Sequence, residues 1–491
     1  MKPIIRGLAY AGSAVLAATA ALNSAHAATA DDPGLRLATY DTVAEASLDP
    51  ATGLAWTDLE MYLTNGDKPL EIEVRRTAYD KPVDARVRRD QADPGADVPV
   101  PSELLTDLTG LQDFFTITVT NPRDEVVASV RRPLCPNGAD TRMAPDAPAG
   151  NPYPEKCNAN PFSHSTLWGM PKRWGLMPFY GEGRQIGLPL KTGSYRAEVT
   201  IAPRYRALLG IADAHATRTI RLRVAPGTGQ KVDETLDPRL FTQPGTLTRP
   251  TGAARVPRQG PLPDMRALPA WDITVEHGAS VDGLPDRDLV KFGSTVWVDG
   301  DAPLFVQGFR ESKEPLMVAY QYFFDADGKE TGYAKVGGME WDPRPGHLHW
   351  HFQDFAGYRL LREDGSAALT GTKEAFCIAN TDQVDLLNPR AVHRPANVGL
   401  RVDECGGEAE MEVQQRLDVG WGDTYGPERP DQELDVTDVP NGTYQIEVNA
   451  NPKGNLHEKT TANNRSVRTI VLGGTPGKRT VSVPPVGLIQ A

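Results

Sequence analysis

Three histidines at alternate positions are the side chains in this sequence best suited to chemistry. His347, His349 and His351 lie within the stretch 346–352, and the whole chain has nine histidines. On a β-strand, alternate residues point to the same side, so the three imidazoles would share one face and the apolar residues between them the other. Neutral imidazoles are ligands for zinc, copper, nickel or iron. The spacing therefore predicts a three-histidine metal site.

A flat strand would hold the outer two histidines at the limit of what one ion can bridge, because four rises of about 3.3 Å separate them. Pro343, Pro345 and Gly346 come directly before this stretch. Prolines and a glycine at such a place favour a bend or bulge, and we expect a bent strand that gathers the rings. The histidines alone leave the metal and the reaction open, since zinc hydrolases also use three histidines with an open fourth position.

The elements that position these histidines are predicted to be strands. Short alternating runs of apolar and polar residues, interrupted by Gly, Pro, Asn and Asp, fill both halves of the chain. Interruptions about 8 to 12 residues apart are typical of β-sandwiches, and helical periodicity is scarce. Residues 115–121 and 125–131 have a hairpin pattern, and 294–298 and 318–323 are further strands. The predicted fold class is all-β, with two β-sandwich-like domains.

A proline-rich stretch divides the chain, with five prolines between positions 241 and 263. We predict an N-terminal domain over residues 28–240, a linker over 241–262, a C-terminal domain over 263–475 and an extended tail over 476–491. An internal echo supports two sandwich domains. Gly193-Ser194-Tyr195 and Gly442-Thr443-Tyr444 are each followed, at equal spacing, by a valine, a proline and one more strand.

The first residues have the layout of a secretory signal. Lys2 and Arg6 precede an apolar run, and Ala25-His26-Ala27 ends it. We expect cleavage after Ala27, which makes residues 1–27 a signal peptide and the protein secreted. No later stretch reaches the roughly 18 uninterrupted apolar residues that a membrane helix needs, so no membrane span is predicted.

The charge balance is acidic. The formal net charge is −12, and loss of Lys2 and Arg6 with a leader that has no Asp or Glu makes it −12 − 2 = −14. Nucleic-acid binding relies on clustered Lys and Arg, so this balance argues against a nucleic-acid partner. An acidic surface would instead attract a cationic substrate.

Four cysteines form two local pairs in the sequence. An exported protein can oxidise both, so we expect the disulfides Cys135–Cys157 and Cys377–Cys405. Four cysteines allow three pairings, and pairing within each half is the simplest. Each bridge would stabilise the fold by roughly 3 kcal/mol in the chain-entropy model. A thiolate metal site would need a tighter motif such as C-x-x-C, and the sequence has none.

Three motifs downstream of the histidines carry a resemblance to a known family. They are Gly371-Thr372-Lys373-Glu374-Ala375-Phe376-Cys377, Trp421-Gly422-Asp423-Thr424-Tyr425 and Leu434-Asp435-Val436-Thr437-Asp438-Val439. In order and spacing, and together with the histidines, they resemble the catalytic domain of the lysyl oxidase family. The resemblance covers residues 262–472 and does not extend to 28–240. It implies that His347, His349 and His351 bind copper.

The resemblance also implies a cofactor made from the chain itself. Lys373 and Tyr425 match the lysine and tyrosine that cross-link into lysine tyrosylquinone. The implied activity is oxidative deamination of primary amines: the amine condenses with the quinone, a base removes a proton, and hydrolysis releases an aldehyde. Dioxygen and copper then reoxidise the cofactor, which yields hydrogen peroxide and ammonia. Peptidyl lysine of lysine-rich proteins, small amines and polyamines are the candidate substrates.

The proton-transfer step is where this sequence departs from the family. Animal members carry a histidine shortly after the copper strand, whereas the matching segment here is Asp354-Phe355-Ala356-Gly357-Tyr358. Another group must replace that histidine. Asp423 and Asp354 are candidate bases, and each would otherwise be a turn carboxylate or one that orients a ligand.

The resemblance further implies a calcium site that joins the two ends of the catalytic domain. The matching residues are Asp264, Met265, Glu458, Thr460, Asn463 and Asn464. Oxygen donors of this kind suit calcium. Thr460 stands where an acidic ligand is expected, and the alternative is that Asn463-Asn464 forms a turn before the last strand.

Two other functions remain open at this point. The histidines would hold zinc or copper in a non-catalytic secreted metal-binding protein, or they would form a zinc hydrolase that needs a metal-bound water and no cross-link. The N-terminal domain has several candidate roles: contact with a cell wall or matrix, cover of the active site, or assistance in folding.

Overall fold

The computed structural model describes residues 34–89, 94–181, 184–227, 249–281, 283–312, 314–325, 328–344, 348–373, 375–395 and 405–489. The predicted signal peptide, most of the predicted linker and His347 lie outside the described residues. The predictions made for them stay predictions.

Fifteen of the described strands precede residue 228. They are β1 (Arg36–Thr39), β2 (Val43–Leu48), β3 (Ala55–Thr57), β4 (Met61–Thr64), β5 (Leu70–Arg75), β6 (Asp84–Val87), β7 (Val98–Pro99), β8 (Leu111–Thr120), β9 (Val126–Leu134), β10 (Thr141–Arg142), β11 (Ser165–Met170), β12 (Trp174–Leu176), β13 (Ile186–Leu188), β14 (Gly193–Ile201) and β15 (Thr217–Pro226). They build three sheets, of which the largest has the order β13-β3-β2-β15-β14-β8-β9. The other two are β1-β4-β12-β10 and β11-β5-β6-β7.

Seventeen described strands follow residue 249. They are β16 (Met265–Ala267), β17 (Trp271–Val281), β18 (Leu284–Val298), β19 (Leu304–Phe309), β20 (Leu316–Phe324), β21 (Glu330–Asp342), β22 (His349–Gln353), β23 (Ala356–Leu361), β24 (Ala367–Thr370), β25 (Ala375–Phe376), β26 (Asp382–Gln383), β27 (Glu412–Leu417), β28 (Trp421–Tyr425), β29 (Glu433–Asp435), β30 (Gly442–Ala450), β31 (Arg465–Thr475) and β32 (Lys478–Ser482). They build the sheets β16-β18-β28-β26, β25-β22-β21-β20-β19-β27 and β24-β23-β30-β31-β32, and β17 and β29 pair with β18.

Helix is scarce in the described part of the chain. The one α-helix, α1 (Pro203–Leu209), begins with proline at its first turn and ends at Gly210 in the left-handed conformation. Three short 3-10 helices cover Pro94–Ala96, Ser102–Leu104 and Asp213–His215. None of these helices approaches the length of about 20 apolar residues that a bilayer crossing needs.

The two sets of sheets enclose separate apolar cores. One core is formed by residues from Leu35 to Val224, and the other by residues from Met265 to Leu472. In the described residues no sheet combines strands from both segments, and the one bridge between them joins Ser165 to Asp385. A smaller apolar cluster joins the two segments, since Phe162 packs with Leu268, Trp297 and Val384. The division of the chain into two domains stays a prediction.

The predicted fold class is confirmed, because the protein is all-β with little helix. The predicted hairpin is β8 paired with β9, and the other two predicted strands lie within β18 and β20. Both predicted disulfides are present, Cys135–Cys157 and Cys377–Cys405. The predicted tail contains β32, which pairs with β31, so these residues belong to the last sheet.

Candidate active site

The histidine strand is shorter than its sequence pattern suggests. It begins at His349 as β22 and pairs with β21, where Asp342 lies opposite His349 and Glu340 opposite His351. Leu348, directly before it, has φ of 49°, a left-handed conformation that is uncommon for a bulky side chain. The backbone therefore turns at Leu348, which directly precedes the strand and lies within the histidine stretch.

The two described histidines face each other in a buried position. The Nε2 atoms of His349 and His351 are 2.9 Å apart, and their ring planes lie at 61°. Metal–nitrogen bonds of about 2.0 Å that meet at a right angle also place two nitrogens about 2.9 Å apart. The pair fits two neighbouring positions around one ion. The described residues include no group of three or more His, Cys, Asp or Glu side chains gathered for a metal.

A carboxylate missed by the sequence analysis stands behind His351. Oδ2 of Asp342, at the end of β21, is 3.5 Å from Nδ1 of His351, the ring nitrogen that faces away from His349. Arg344 contacts both oxygens of Asp342 and reaches Asp431 at 2.5 Å. Carboxylates behind ligand histidines commonly orient the ring and set its tautomer. Asp342 is placed for that role, with Arg344 holding it in position.

The structure brings Lys373 and Tyr425 together. Lys373 lies just before β25 and Tyr425 ends β28, and Nζ of Lys373 is 4.5 Å from the centre of the Tyr425 ring. Both side chains are buried. The ring of Phe376 packs edge-on against Tyr425 at 4.9 Å and also lies under the ammonium group of Lys373, at 5.1 Å. The amine and the phenol ring predicted to react are therefore in contact.

Burial changes the protonation of Lys373. Loss of solvent lowers its pKa to about 8, against an ordinary value of 10.5. Asp431, Asp423 and Asp342 raise the pKa of this amine, and Arg344 lowers it. Since Asp342 also contacts His351, Lys373 is electrostatically linked to both the histidine pair and the tyrosine. About a tenth of this amine is therefore unprotonated, and hence nucleophilic, at pH 7, far more than for a lysine with the ordinary pKa.

The hydroxyl of Tyr425 is held by the backbone of Cys377. The Cys377 N–H donates to the Tyr425 oxygen at 2.8 Å. Burial raises the pKa of Tyr425 well above its usual value, and the negative charge of Asp423 raises it further. Tyr425 is therefore a neutral phenol at physiological pH.

Two links connect the backbone around Cys377, which holds the Tyr425 hydroxyl, to the histidine strand. The disulfide joins Cys377 to Cys405, whose carbonyl accepts a hydrogen bond from the N–H of Trp350. The buried amide of Gln415 donates to the Trp350 carbonyl at 2.7 Å and accepts from the N–H of Ile378 at 3.2 Å. Because Trp350 lies between His349 and His351, both links position the histidines relative to the phenol.

Asp423 is a fully buried carboxyl group beside this pair. It lies two residues before Tyr425 on β28, so both side chains point to the same face of the strand. Neither of its oxygens has a hydrogen-bond partner of normal geometry among the described residues. Burial raises the pKa of Asp423 well above its usual range, while Lys373 and the amide of Ala379 lower it. An unsatisfied buried carboxyl group is costly, which marks this position as a functional candidate.

Asp354, the other predicted base, has a different environment. It occupies the turn between β22 and β23 with φ of 60°, and its side chain contacts Asn455 at 3.3 Å and Lys453 at 3.9 Å. These contacts are those of a turn residue. Of the two carboxylates, Asp423 is the one that the structure brings to Lys373 and Tyr425.

The six residues predicted to bind calcium lie together. Oδ1 of Asp264 accepts from the Thr460 N–H at 3.2 Å, and its Oδ2 accepts from the Asn463 amide at 2.9 Å. Glu458 accepts from the Met265 N–H at 3.0 Å and from the Asn464 amide at 2.8 Å.

Two oxygens of this cluster remain unsatisfied. Oδ1 of Asn463 and Oδ1 of Asn464 are buried without a hydrogen-bond partner in the described structure. Burial also raises the pKa of Glu458, and the nearby charge of Asp264 adds to that rise. Orphaned amide oxygens beside two acidic side chains are the donor set that a calcium ion would satisfy.

Sequence reasoning missed Asp342, Phe376 and Gln415 as parts of the site. Asp342 had a weak signal, since it ends a strand five positions before the first histidine. Phe376 lies within the Lys373 motif but was given no role, and Gln415 has no signal, because only the folded chain brings them to Tyr425 and Trp350.

Comparison with known proteins gives a match for this segment. The family model described as lysyl oxidase matches residues 325–480, a range that includes the histidine strand, Lys373 and Tyr425. The C-terminal segment thus carries a lysyl oxidase domain, and the resemblance predicted from the motifs is confirmed there. The match does not include the N-terminal half.

Curated relatives show the same partial similarity. Lysyl oxidase homolog 3B of Danio rerio is 30% identical over 138 residues, which are 28% of this chain and 15% of the relative. Lysyl oxidase homolog 3 of Homo sapiens is 29% identical over 138 residues, covering 28% of this chain and 16% of the relative. Lysyl oxidase homolog 4 of Bos taurus is 31% identical over 138 residues, again 28% and 16%. The matched segment spans less than a fifth of each of these relatives.

Proposed function

We propose that this protein is a copper- and quinone-dependent amine oxidase that deaminates primary amines to aldehydes. One observation carries the proposal: the buried amine of Lys373 lies 4.5 Å from the ring of Tyr425, within the segment that matches the lysyl oxidase family. A structural lysine would place its ammonium in water or in an ion pair, because a buried charge is costly. A depressed pKa over a phenol ring suits a nucleophile instead.

His349 and His351 would bind the copper, with His347 as the third ligand. Their facing nitrogens fit neighbouring positions on one ion, and Asp342 would orient His351. When bound, copper would supply the activation of dioxygen needed to oxidise the ring of Tyr425 to a quinone. The mature cofactor would supply a carbonyl carbon that takes the substrate amine, with release of hydrogen peroxide and ammonia.

Lys373 and Tyr425 would contribute position and protonation state. The Cys377 N–H fixes the Tyr425 oxygen, and Phe376 limits the directions from which the Lys373 amine can approach the ring. Both groups lie out of water, which favours one intramolecular product over side reactions. The low pKa of Lys373 provides the free amine without an additional base.

Asp423 would serve as the general base of the deamination. It lies on the same strand face as Tyr425, and no full hydrogen bond in the described structure occupies its oxygens. Burial raises the pKa of its carboxyl group well above the usual value, so this carboxylate is a stronger base than that of an exposed aspartate, which suits a group that takes a proton. Asp354 is not proposed, because it contacts Asn455 and Lys453 in a turn.

The substrate class follows from the charge of the chain. With a formal net charge of −12, the protein would attract cationic amines, whether peptidyl lysine or polyamines. Secretion fits the two disulfides, since such bonds persist in oxidising compartments. Contact of the N-terminal half with a cell wall or matrix remains a proposal.

Calcium would bind where Asp264 and Glu458 meet the two orphaned amide oxygens of Asn463 and Asn464. The ion would tie β16 to the turn before β31, which joins the two ends of the catalytic segment. Thr460 contributes its backbone N–H to Asp264 and not an acidic oxygen, so this site has fewer charges than a set with a third carboxylate.

Amine-dependent release of peroxide from copper-loaded protein tests the proposal. The wild type should release hydrogen peroxide with lysine peptides or polyamines, while Lys373→Arg and Tyr425→Phe should lose at least about 10³-fold in rate, since each removes a reacting group. Tyr358→Phe is a matched control: Tyr358 is a second fully buried tyrosine whose hydroxyl bonds Ser294 and Gln432.

Other outcomes separate the competing functions. Copper binding without peroxide release in the wild type would favour a metal-binding protein. Ester or amide hydrolysis by zinc-loaded protein, retained in Tyr425→Phe, would favour a hydrolase. Equal loss in Tyr358→Phe and Tyr425→Phe would remove the special role of Tyr425.

A further inference from the structure

The strand that carries Asp423 and Tyr425 has a second face, and the N-terminal half of the chain contacts it. On β28, Asp423 and Tyr425 point to one side, so Thr424 between them points to the other. The Thr424 hydroxyl is 2.7 Å from that of Thr295, its cross-strand neighbour on β18. The amide of Asn160, from the N-terminal half, donates to the same Thr295 hydroxyl at 2.7 Å. One chain of three polar side chains thus runs from the N-terminal half to the back of β28.

The contact extends along residues 156–166, here called the buttress. Its side chains and carbonyls surround Gln383 on β26. The Gln383 carbonyl accepts from Asn158 at 2.9 Å and from Ser163 at 2.7 Å. The Gln383 side chain accepts from Thr166 at 3.1 Å and donates to the Lys156 carbonyl at 2.6 Å. Backbone and side chain of a single glutamine are therefore held by four groups of the buttress.

The buttress also pairs with the backbone beyond β26. The N–H groups of His164 and Ser165 donate to the Val384 carbonyl at 2.6 and 3.0 Å. The Ser165 hydroxyl donates to Asp385 and accepts from the Leu387 N–H at 2.9 Å. Ser165 and Asp385 form a parallel bridge, so the buttress adds to the free edge of this sheet as a short parallel strand would.

The supported edge is connected directly to the reacting groups. β26 pairs with β28, with Asp382 opposite Gly422 and Gln383 opposite Trp421. The Thr381 hydroxyl accepts from the Thr424 N–H at 2.6 Å. Residues 381–383 therefore lie between the buttress and the strand that ends in Tyr425.

The polar side chains of this contact are buried and therefore need hydrogen-bond partners. Asn158, Asn160, Ser163 and Thr166 are all buried, although they are polar. If Asn160 or Thr166 lost its polar group while the two halves stayed together, Thr295 or Gln383 would be left buried with one partner fewer. The disulfide Cys135–Cys157 anchors the buttress at its start.

We propose that the buttress is a positioning element of the active site, through which Asn160 and Gln383 hold β28 so that Tyr425 stays within reach of Lys373. The inference rests on the proposed function for its catalytic meaning, and on the contacts alone for its structural meaning. This role differs from covering the active site. The buttress contacts the back of β28, whereas the face with Asp423 and Tyr425 packs within the C-terminal segment.

The test uses full-length protein with Asn160→Ala and, independently, Thr166→Val. Asn160→Ala removes the hydrogen bond to Thr295 and the contact of the Asn160 side chain with Asp382, and Thr166→Val removes the hydrogen bond to Gln383. Both changes leave the reacting residues in place. Asn151→Ala is the matched control. Asn151 also donates one amide hydrogen bond, to the Ala139 carbonyl, and closes a turn by accepting from the Tyr153 N–H, so both of its partners lie within the N-terminal half.

Hydrogen exchange of the copper-free protein is the first measurement. Amides of residues 421–425 should exchange about fivefold faster in Asn160→Ala than in the wild type, the order of change expected for one lost net hydrogen bond. Asn151→Ala should leave them unchanged. Equal exchange in all four proteins would overturn the proposal, as would equal acceleration in the control.

The second measurement follows copper addition. Stoichiometric copper binding should persist in Asn160→Ala and Thr166→Val, because the histidines lie on another sheet, while the rate of Lys373–Tyr425 cross-linking falls about fivefold. Unchanged cross-linking in both variants would contradict a positioning role. If the wild type itself forms no cross-link, the proposed function fails, and the exchange measurement still decides whether the buttress supports β28.

Discussion

The two halves of the molecule bury different kinds of polar residues. Among the described residues, the N-terminal half buries only neutral ones: Thr57, Thr64, Asn65, Asn137, Asn158, Asn160, Ser163, Ser165 and Thr166. The C-terminal half buries twelve ionisable side chains: Asp264, Asp288, Arg310, Asp342, His349, His351, Lys373, Asp382, Asp418, Asp423, Glu447 and Arg479. A buried charge costs stability unless it is paired. The C-terminal half therefore needs partners for buried charges that the described N-terminal half does not contain, although both halves are all-β.

The architectures are alike in detail. β14 and β30 both begin with glycine and carry a tyrosine two residues later. The Tyr195 hydroxyl donates to the Lys191 carbonyl at 3.0 Å, and the Tyr444 hydroxyl donates to the Pro440 carbonyl at 2.9 Å. Each strand then pairs with the next one along the chain, β15 or β31. The motif that recurs in the two halves of the sequence therefore also forms the same local structure in both.

The buried carboxylates of the C-terminal half differ in whether they have a pairing partner. Glu447 is held by Arg359 and Arg465, and Asp418 by Arg416 and Asn380, as expected of structural pairs. Among the described residues, neither oxygen of Asp423 has a hydrogen bond of this kind beside Lys373 and Tyr425. A carboxyl group buried without a normal hydrogen bond, beside a buried lysine and a buried tyrosine, has no counterpart among the described residues of the N-terminal half.

Replacement of Asp423 gives the largest expected effect. Asp423→Asn should lower the rate of amine oxidation by about 10² to 10⁴-fold, because the base of the proton transfer is lost. It should also raise the thermal midpoint of the copper-free protein, because an unpaired buried carboxyl group is removed. Rate assays and scanning calorimetry check both.

Asn65→Ala in the other half provides the contrast. Asn65 is buried and bonds the Lys68 carbonyl at 2.7 Å, so this change should lower stability and leave the rate unchanged. A lower midpoint and a normal rate in Asp423→Asn would show that Asp423 is structural, as Asn65 is.

The carboxylate behind the histidines gives the next largest effect. Asp342→Asn should weaken copper binding about 10 to 100-fold, the usual cost of losing a group that orients a ligand histidine. Copper competition assays measure it. Asp288→Asn is the control, since buried Asp288 also pairs with a histidine, His277, at 2.5 Å. Equal affinities in the two variants would remove Asp342 from the site.

The pH dependence of cross-linking should be the smallest of these effects. Burial lowers the pKa of Lys373 to about 8, so the amine is protonated below that pH and free above it. The rate of cross-linking should rise about tenfold between pH 7 and pH 9, in proportion to the free amine. A midpoint near the ordinary lysine value of 10.5 would contradict the burial argument.

The same shift affects stability, with a sign that follows from its direction. The folded pKa lies below the unfolded one, so protonated Lys373 destabilises the fold below pH 8. This destabilisation should be relieved as the pH rises from 8 towards 10.5. Lys373→Met should remove that part of the pH dependence in chemical denaturation of the copper-free protein.

Local patterns predicted much of the fold. Alternation of apolar and polar residues identified β8 and β9 as a hairpin, because a half-buried strand imposes that period. Local cysteine spacing likewise gave both disulfides. The bend was expected at Pro343, Pro345 and Gly346, and the described left-handed residue is Leu348. A leucine carries no local signal for that conformation.

Local sequence patterns predicted less of the candidate site. Lys373 and Tyr425 were singled out by motif resemblance, and only the pairing of β28 with β18 and the position of Phe376 explain why they meet. The buttress had no sequence signal, since Asn158 and Asn160 read as ordinary loop residues. Contacts between distant segments depend on how sheets pack, which periodicity does not encode.

Peptide mapping by mass spectrometry tests the central claim most directly. Copper-free protein, reconstituted with copper in air, reduced and digested, should yield one covalently joined pair of peptides, linked between Lys373 and Tyr425. The copper-free sample and Lys373→Arg should yield none. Recovery of Lys373 and Tyr425 as separate, unmodified residues from the copper-loaded wild type would contradict the amine oxidase account and leave an all-β protein with a histidine metal site.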